Sequence, residues 1–350
     1  MSKHRYLPAE WAEQSGVMLT WPHADTDWAE RLDAVEPAFF AIAIEVLRCE
    51  DLLISCEDAE RLARVCAALE TARQAQQLPG RLHSYVAPAN DTWARDHGPI
   101  TVIENGQPRL LDFRFNAWGG KFGANKDDAL NRHLAELGAF GHTPMDSVEF
   151  ILEGGSIESD GEGVLLTTSH CLLTTTRNAE LDRAGVEASL KALLGVEQIL
   201  WLSQGYLAGD DTDSHIDTLA RLCAPGRICY VACPDEHDEH YRALKGMEDE
   251  LKAFRQRDGS PFELIPLPWP DAVYDADGHR LPATYANFLI INGTVLLPVY
   301  EVPQDEEAVR VMQRCFPNHK IVTVPCRVVI EQHGSLHCLT MQLPKGVLPA

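Results

Sequence analysis

Residues 99–113 read PITVIENGQPRLLDF, two β-forming runs on either side of Asn105–Gly106, and this stretch decides the fold because its pattern recurs. Asn-Gly between two such runs is a strong hairpin signal, since both residues accept the positive φ that a tight turn requires. The pattern returns as GSIESDGEGVLLTT at 155–168, DTLARLCAPGRICYVAC at 217–233 and YANFLIINGTVLLPVY at 285–300. The turns fall at Asn105, Asp160, Pro225 and Asn292, which lie 55, 65 and 67 residues apart. A period of this kind marks a repeat architecture.

Each hairpin is followed by a helical pattern and then one more short strand. KDDALNRHLAEL (126–137) precedes SVEFILEG (147–154), and ELDRAGVEASLKALL (180–194) precedes QILWLSQ (198–204). EHYRALKGMEDELKAF (239–254) precedes FELIPLP (262–268), and DEEAVRVMQRCF (305–316) precedes KIVTVP (320–325), with apolar residues at helical i, i+3, i+4 spacing. A fifth unit is split between the chain ends, SGVMLTWPH (15–23) and RVVIEQHGSLHCLTMQL (327–343), read as pairing strands. The blade with which the chain begins is thus closed by its last strands, which removes open sheet edges. An extra helix and strand, DAERLARVCAALETA (58–72) and RLHSYVAP (81–88), carries the chain onward. The expectation is an α/β fold of five pseudo-symmetric blades around a central site, a single domain over residues 1–350. A doubly wound parallel sheet is the alternative, and the recurring hairpins count against it.

Length alone allows two domains, since 350 residues is more than twice a common domain length of about 150. The composition, 45% hydrophobic and 23% charged, is that of a globular protein. With 52 acidic against 30 basic residues the formal charge is −22, which repels a phosphate backbone, so no nucleic-acid partner is expected. The amino-terminal MSKHRYLPAEW lacks the apolar run of a secretory signal, and the apolar run Ala38–Ile44 is too short to cross a membrane. Ten cysteines without a Cys-x-x-Cys pair read as reduced thiols in a cytoplasm. Cys229 and Cys233, on one face of RICYVAC, read as buried strand residues rather than zinc ligands.

The residues able to do chemistry share one phase of the repeat. Asp96 precedes the first hairpin, Glu153 the second, His215 and Asp217 the third, and Cys338 lies in the split unit. In a closed ring these positions converge on the axis, bringing carboxylates, an imidazole and a thiol together as a cysteine nucleophile with acid–base support requires. His97 and His337 read as packing residues, the latter because a strand would turn it away from Cys338. Gly154 and Gly155 lack the following Lys-Ser or Lys-Thr and the helix of a phosphate loop, and read as places where backbone passes close to substrate or axis. Asp213 is left outside the site.

The blocks NDTWARDHGP (90–99), LEGGSIESDGEGVLLTT (152–168), DDTDSHID (210–217) and HGSLHCLTMQ (333–342) resemble the signature segments of the agmatine deiminases, grouped with the porphyromonad-type peptidylarginine deiminases in the guanidino-group-modifying superfamily. The resemblance implies the pentein-like five-bladed propeller and a small cationic guanidino substrate. It implies Cys338 as nucleophile, His215 as general acid and base, and Glu153 beside His215 or the substrate nitrogens. Asp96 and Asp217 would clasp the guanidinium, Trp93 would pack along the aliphatic chain and Asp211 would meet the substrate's other end. No cofactor and no metal are expected, and a homodimer is left open. Agmatine, whose product would be N-carbamoylputrescine on a route to putrescine, suits DDTDSHID better than free arginine, because this stretch has no basic residue to meet a carboxylate. Deimination of peptidyl arginine or another small guanidine is the alternative within the class. An amidase and a non-catalytic binding module are the alternatives outside it.

Overall fold

The structure, a computed structural model describing residues 4–349, contains five separate sheets. Residues 1–3 of the amino-terminal reading, and residue 350 at the expected domain boundary, lie outside the described residues. All four hairpins form: Ile100–Glu104 with Gln107–Arg114, Ile157–Ser159 with Val164–Thr168, Ala220–Ala224 with Arg227–Val231, and Leu289–Ile291 with Thr294–Val299, each antiparallel. Asn105 and Gly106 take φ of 50° and 79°, the backbone that a two-residue hairpin turn requires. A parallel strand follows each hairpin, namely Met145–Ile151, Gln198–Leu202, Glu263–Leu267 and Lys320–Pro325. The connecting helices Asp127–Glu136, Arg183–Leu194, Tyr241–Ala253 and Asp305–Cys315 supply the crossover that parallel pairing needs. The doubly wound alternative falls, because the strands of the described residues divide into five sheets, each containing an antiparallel pair, rather than building one parallel sheet.

The fifth sheet joins the chain ends in the order Thr340–Pro344, Gln14–Thr20, Asp51–Cys56, Leu82–Val86. The helices Leu32–Cys49 and Ala59–Gln76 connect its three parallel strands. Neighbouring units touch in sequence: the Ala94–His97 turn meets Gly154–Ser156, Ile157–Ser159 meets Ala220–Ala224, Asp305–Cys315 meets Glu263–Leu267, Leu289–Ile291 meets Gln14–Thr20, and Ala94–His97 meets Thr340–Pro344. The apolar core falls into two clusters of buried residues, one of which contains Cys338 and Trp93.

Four sequence expectations need correction. Residues 327–343 do not form one long strand: Val329–Gln332 is a 3-10 turn, His333 is left-handed at φ 67°, and pairing starts at Thr340. Gly154–Ser156 does open a short 3-10 helix, though it is a single turn. Arg5–Tyr6, in a segment read only as lacking a secretory signal, adds an edge strand beside Ile100–Glu104. Cys229 is buried on its strand, but the strand ends at Val231, so Cys233 is half-buried beyond it rather than sharing a core face.

Candidate active site

The repeat phase places one or two polar groups from each unit within five residues of the strand that follows. Asp96 lies ahead of Ile100, Glu153 ahead of Ile157, His215 and Asp217 close to Ala220, and Cys338 ahead of Thr340. The fourth unit, from which the sequence reading drew no residue, supplies Asn287 just before Leu289. Its repeat phase was the available signal, but a neutral amide carries no acid–base chemistry to attract notice.

Asn287 and Asp217 lie against the sulfur of Cys338, a residue 4% exposed, with Asp96 close by. Asn287 places Nδ2 at 3.3 Å and Oδ1 at 3.4 Å from Sγ, while Asp217 Oδ2 lies at 3.7 Å. Asn287 Oδ1 also accepts from the backbone N–H groups of His337 and Cys338, at 2.9 and 3.3 Å. Burial pushes the Cys338 thiol well above its ordinary range, and the Asp217 and Asp96 carboxylates push it further. Without a nearby cation this sulfur stays protonated.

Asp96 accepts from Trp118 Nε1 at 2.9 Å and from the backbone N–H of Gly155 at 3.1 Å. Its carboxyl is pushed up to about 6, first by burial and then by Asp217 and Glu153, with His215 and Trp118 opposing. His215 Nδ1 stands 3.6 Å from Asp96 Oδ1. Burial pulls the His215 imidazole down, but Asp96, Cys171 and Glu153 outweigh it and hold the ring above its usual value. Both His215 ring nitrogens, Glu153 Oε2 and Asp217 Oδ1 lack a hydrogen-bond partner although fully buried. Native proteins rarely leave four such atoms unsatisfied together, and functional sites are where it occurs.

Local backbone explains the arrangement. A Cβ on Gly155 would sit 2.6 Å from His215 Nδ1 and 2.9 Å from Asp96 Oδ1, so only glycine lets the backbone pass here. Ala117 and Trp118 are both left-handed, at φ 51° and 55°, which aims the Trp118 indole at Asp96. Asp213 and Ser214, at φ 67° and 64°, are strained in the same way just before His215. The strain is held by Arg177, a wholly buried guanidinium that the sequence reading missed. It donates to Glu153 Oε1 at 2.7 Å, to Asp213 Oδ2 at 2.6 Å and to the carbonyl of Thr212 at 3.1 Å. Asp213 is therefore a tie for the loop, paired also with Lys121 at 2.9 Å. Glu153, Cys171 and His215 hold ligand-type atoms within 4.8 Å of one another, but the Arg177 charge on Glu153 occupies the place where a metal ion's charge would be needed.

Above this cluster opens a cavity of about 370 Å3. Cys338, Asp96, Trp93 and Asp211 reach its wall, while Asp217, His215 and Glu153 lie one layer behind. Asp25, Asp27, Asp91 and Asp127 add carboxylates, and no Lys or Arg lines the cavity among the described residues. Trp93 donates from Nε1 to Asp91 at 3.1 Å and lies so close to Gly334 that a Cβ there would meet its ring at 2.2 Å. Asp211 is partly exposed, and burial and Asp210 raise its carboxyl.

Of the two histidines read as packing, His97 fits, buried against Phe115 with ring centroids 6.1 Å apart. His337 does not. Because residues 336–339 form a turn, strand alternation does not apply, and Nδ1 of His337 reaches Asp217 Oδ2 at 2.7 Å.

The sequence profile described as Porphyromonas-type peptidyl-arginine deiminase matches residues 6–344. An agmatine deiminase from Stutzerimonas stutzeri is 35% identical over 97% of this chain and 95% of its own. Among solved structures, a Porphyromonas gingivalis protein provisionally described as an arginine deiminase is 48% identical, with a TM-score of 0.91 over 99% of this chain and 100% of that one. A cysteine-to-serine variant of C. jejuni agmatine deiminase, solved with substrate bound, is 38% identical, with a TM-score of 0.87 over 98% and 97% of the two chains.

Proposed function

The chain belongs to the Porphyromonas-type peptidyl-arginine deiminase family, and from that premise we propose that it hydrolyses agmatine to N-carbamoylputrescine and ammonia. The observation that carries the choice of substrate is the cavity wall, rich in aspartate and free of Lys and Arg among the described residues. Agmatine is cationic at both ends. Free arginine would bring a carboxylate into this acidic wall, where no Lys or Arg among the described residues meets it, at a cost in repulsion and desolvation.

In this reading the planar guanidinium enters between Asp96 and Asp217, whose oxygens match its N–H fork and fix its plane against Cys338. The bound cation reverses the electrostatics that keep the thiol protonated, so the thiol releases its proton to solvent and substrate activates its own nucleophile. Thiolate attack forms a carbon–sulfur bond and a tetrahedral adduct. His215, held protonated by its carboxylate neighbours, gives a proton to the terminal nitrogen as its bond to carbon breaks, and ammonia leaves. The neutral imidazole then takes a proton from water, which attacks the same carbon. The adduct's hydroxyl loses its proton to solvent as the carbon–sulfur bond breaks, and the thiolate returns with a ureido product. Each step is hydrolytic and calls on no cofactor. Glu153, behind His215 and fixed by Arg177, supports the ring, while Trp93 flanks the aliphatic chain and Asp211 faces the distal ammonium.

The same reading takes the five mutually touching sheets as the blades of one propeller, a single domain whose axis ends at Cys338. Ten free cysteines suit a reducing compartment, and we place the reaction in the cytoplasm, feeding putrescine synthesis. The test is ammonia release from agmatine, free arginine, a blocked arginine peptide and methylated arginines. Agmatine is expected to give the highest kcat/KM. Preference for a peptide would move the substrate to protein arginine, and release from none would end the deiminase reading.

A further inference from the structure

We propose that His337 is a positioning residue for Asp217, its Nδ1–H holding the carboxylate that receives the guanidinium, while Arg221 on its far side, whose charge also engages Glu10, keeps the ring in that tautomer. The role rests on the deiminase reading above. His337 is wholly buried, and its ring bridges two layers of the molecule. On one side Nδ1 is 2.7 Å from Asp217 Oδ2. On the other, Nε2 faces Arg221 Nη2 at 3.1 Å and Glu10 at 2.9 and 3.1 Å.

A guanidinium can only donate, so the nitrogen opposite Arg221 is best satisfied as the lone-pair nitrogen of a neutral ring. Burial, Arg221 and Arg95 all push the His337 imidazole toward neutrality, against Glu10 and Asp217. A neutral ring has a single N–H, which is then left on Nδ1 and aimed at Asp217. Glu10 comes from the irregular segment ahead of the strand Gln14–Thr20. Its charge is taken up by Arg221, by Arg95 Nη1 at 3.2 Å and by Gln342 Nε2 at 3.1 Å, so it need not draw a second proton onto the ring. Arg221 is itself anchored by Glu158 and by the carbonyls of Ala286 and Phe288 at 3.0 and 2.8 Å.

The consequence falls on Asp217. Burial raises its carboxyl, but the His337 hydrogen bond, with His215 and Arg221 acting through space, brings it below the usual range. The other groups near it are the Cys338 thiol, 3.7 Å from Oδ2, and the Asp96 carboxylate, whose charge favours the neutral form of Asp217. One donor on Oδ2 keeps Asp217 ionised and leaves Oδ1, which has no partner, for the substrate.

The test compares His337→Leu with His337→Asn, whose amide N–H falls near the position of Nδ1. Steady-state kinetics with agmatine are measured against pH, and folding is checked by thermal melts. His337→Leu is expected to raise KM about tenfold or more and to shift the acid limb of kcat/KM to higher pH, with a smaller change in kcat. His337→Asn is expected to return the limb to its wild-type position. Equal impairment of both variants with an unmoved limb, or no change in either, would overturn the role. If His337→Leu fails to fold, nitrogen NMR of wild-type protein decides. The Nδ1–H tautomer supports the proposal, and an imidazolium or an Nε2–H tautomer at neutral pH contradicts it. Wild-type protein that releases no ammonia from agmatine would instead sink the deiminase reading, whichever tautomer the ring shows.

Discussion

The amide of Asn287 lies against the sulfur of Cys338, with Nδ2 at 3.3 Å and Oδ1 at 3.4 Å, while Oδ1 also binds the backbone N–H groups of residues 337 and 338. One neutral side chain thereby fixes the turn that carries the thiol and offers an N–H to the thiolate once it forms. Asn287→Ala removes both. Leaving the buried N–H groups unpaired costs roughly 1 to 3 kcal/mol, so kcat/KM for agmatine is expected to fall about ten- to a hundredfold. Asn287→Asp is expected to be worse, because a third carboxylate beside Asp96 and Asp217 disfavours the thiolate. Activity equal to wild type in the alanine variant would remove Asn287 from the account.

That residue shows how far the sequence was legible. The hairpins were readable because Asn-Gly, Asp-Gly and Pro-Gly turns are local chemistry, and the split unit because alternating apolar runs at both ends demanded partners. Charged members of the site were readable from their shared repeat phase. Asn287 had the phase and no charge. Arg177 and Glu10 had charge and no phase, since their roles depend on which distant carboxylates the fold delivers to them. His337 was misplaced because the apolar residues of 327–343 look like a strand, whereas a 3-10 turn at Val329–Gln332, left-handed His333 at φ 67° and a second turn at 336–339 interrupt it.

Two glycine substitutions should separate site from scaffold. Gly155→Ala puts a methyl group 2.6 Å from His215 Nδ1 and 2.9 Å from Asp96, a clash that displaces catalytic groups at a cost of about 1 to 3 kcal/mol. Its kcat/KM should fall far more than its Tm. Gly106→Ala, with no atom within 4 Å but φ of +79°, should destabilise by about 1 kcal/mol and leave kcat/KM unchanged. Comparable activity losses in both would deny Gly155 a special place.

The pH profile follows from Asp96 and His215. Free Asp96, raised to about 6, gains a proton as pH falls and loses its attraction for the guanidinium, so kcat/KM should drop below about pH 6. A bound cation favours the carboxylate, which places the acid limb of kcat at lower pH than that of kcat/KM. On the alkaline side His215 must remain protonated to release ammonia, and its raised value carries the plateau above neutrality. A kcat/KM that stays flat from about pH 5 to 7 would contradict the assignment of Asp96.

Asp211 should discriminate the far end of the substrate. Asp211→Asn is expected to remove the proposed charge-assisted contact to the ammonium of agmatine, worth roughly 1.5 to 3 kcal/mol, and so to lower kcat/KM about ten- to a hundredfold. Butylguanidine, which lacks that ammonium, should be turned over as before. Equal losses for both substrates, or none, would transfer the role to another carboxylate of the wall.

The most direct measurement is peptide-mapped mass spectrometry of protein acid-quenched during turnover of agmatine, alongside the Cys338→Ser variant treated in the same way. The account predicts an adduct of agmatine less ammonia on Cys338, absent from the serine variant, which should retain its fold but release no ammonia. An adduct mapped to another of the ten cysteines, or normal ammonia release by Cys338→Ser, would contradict it.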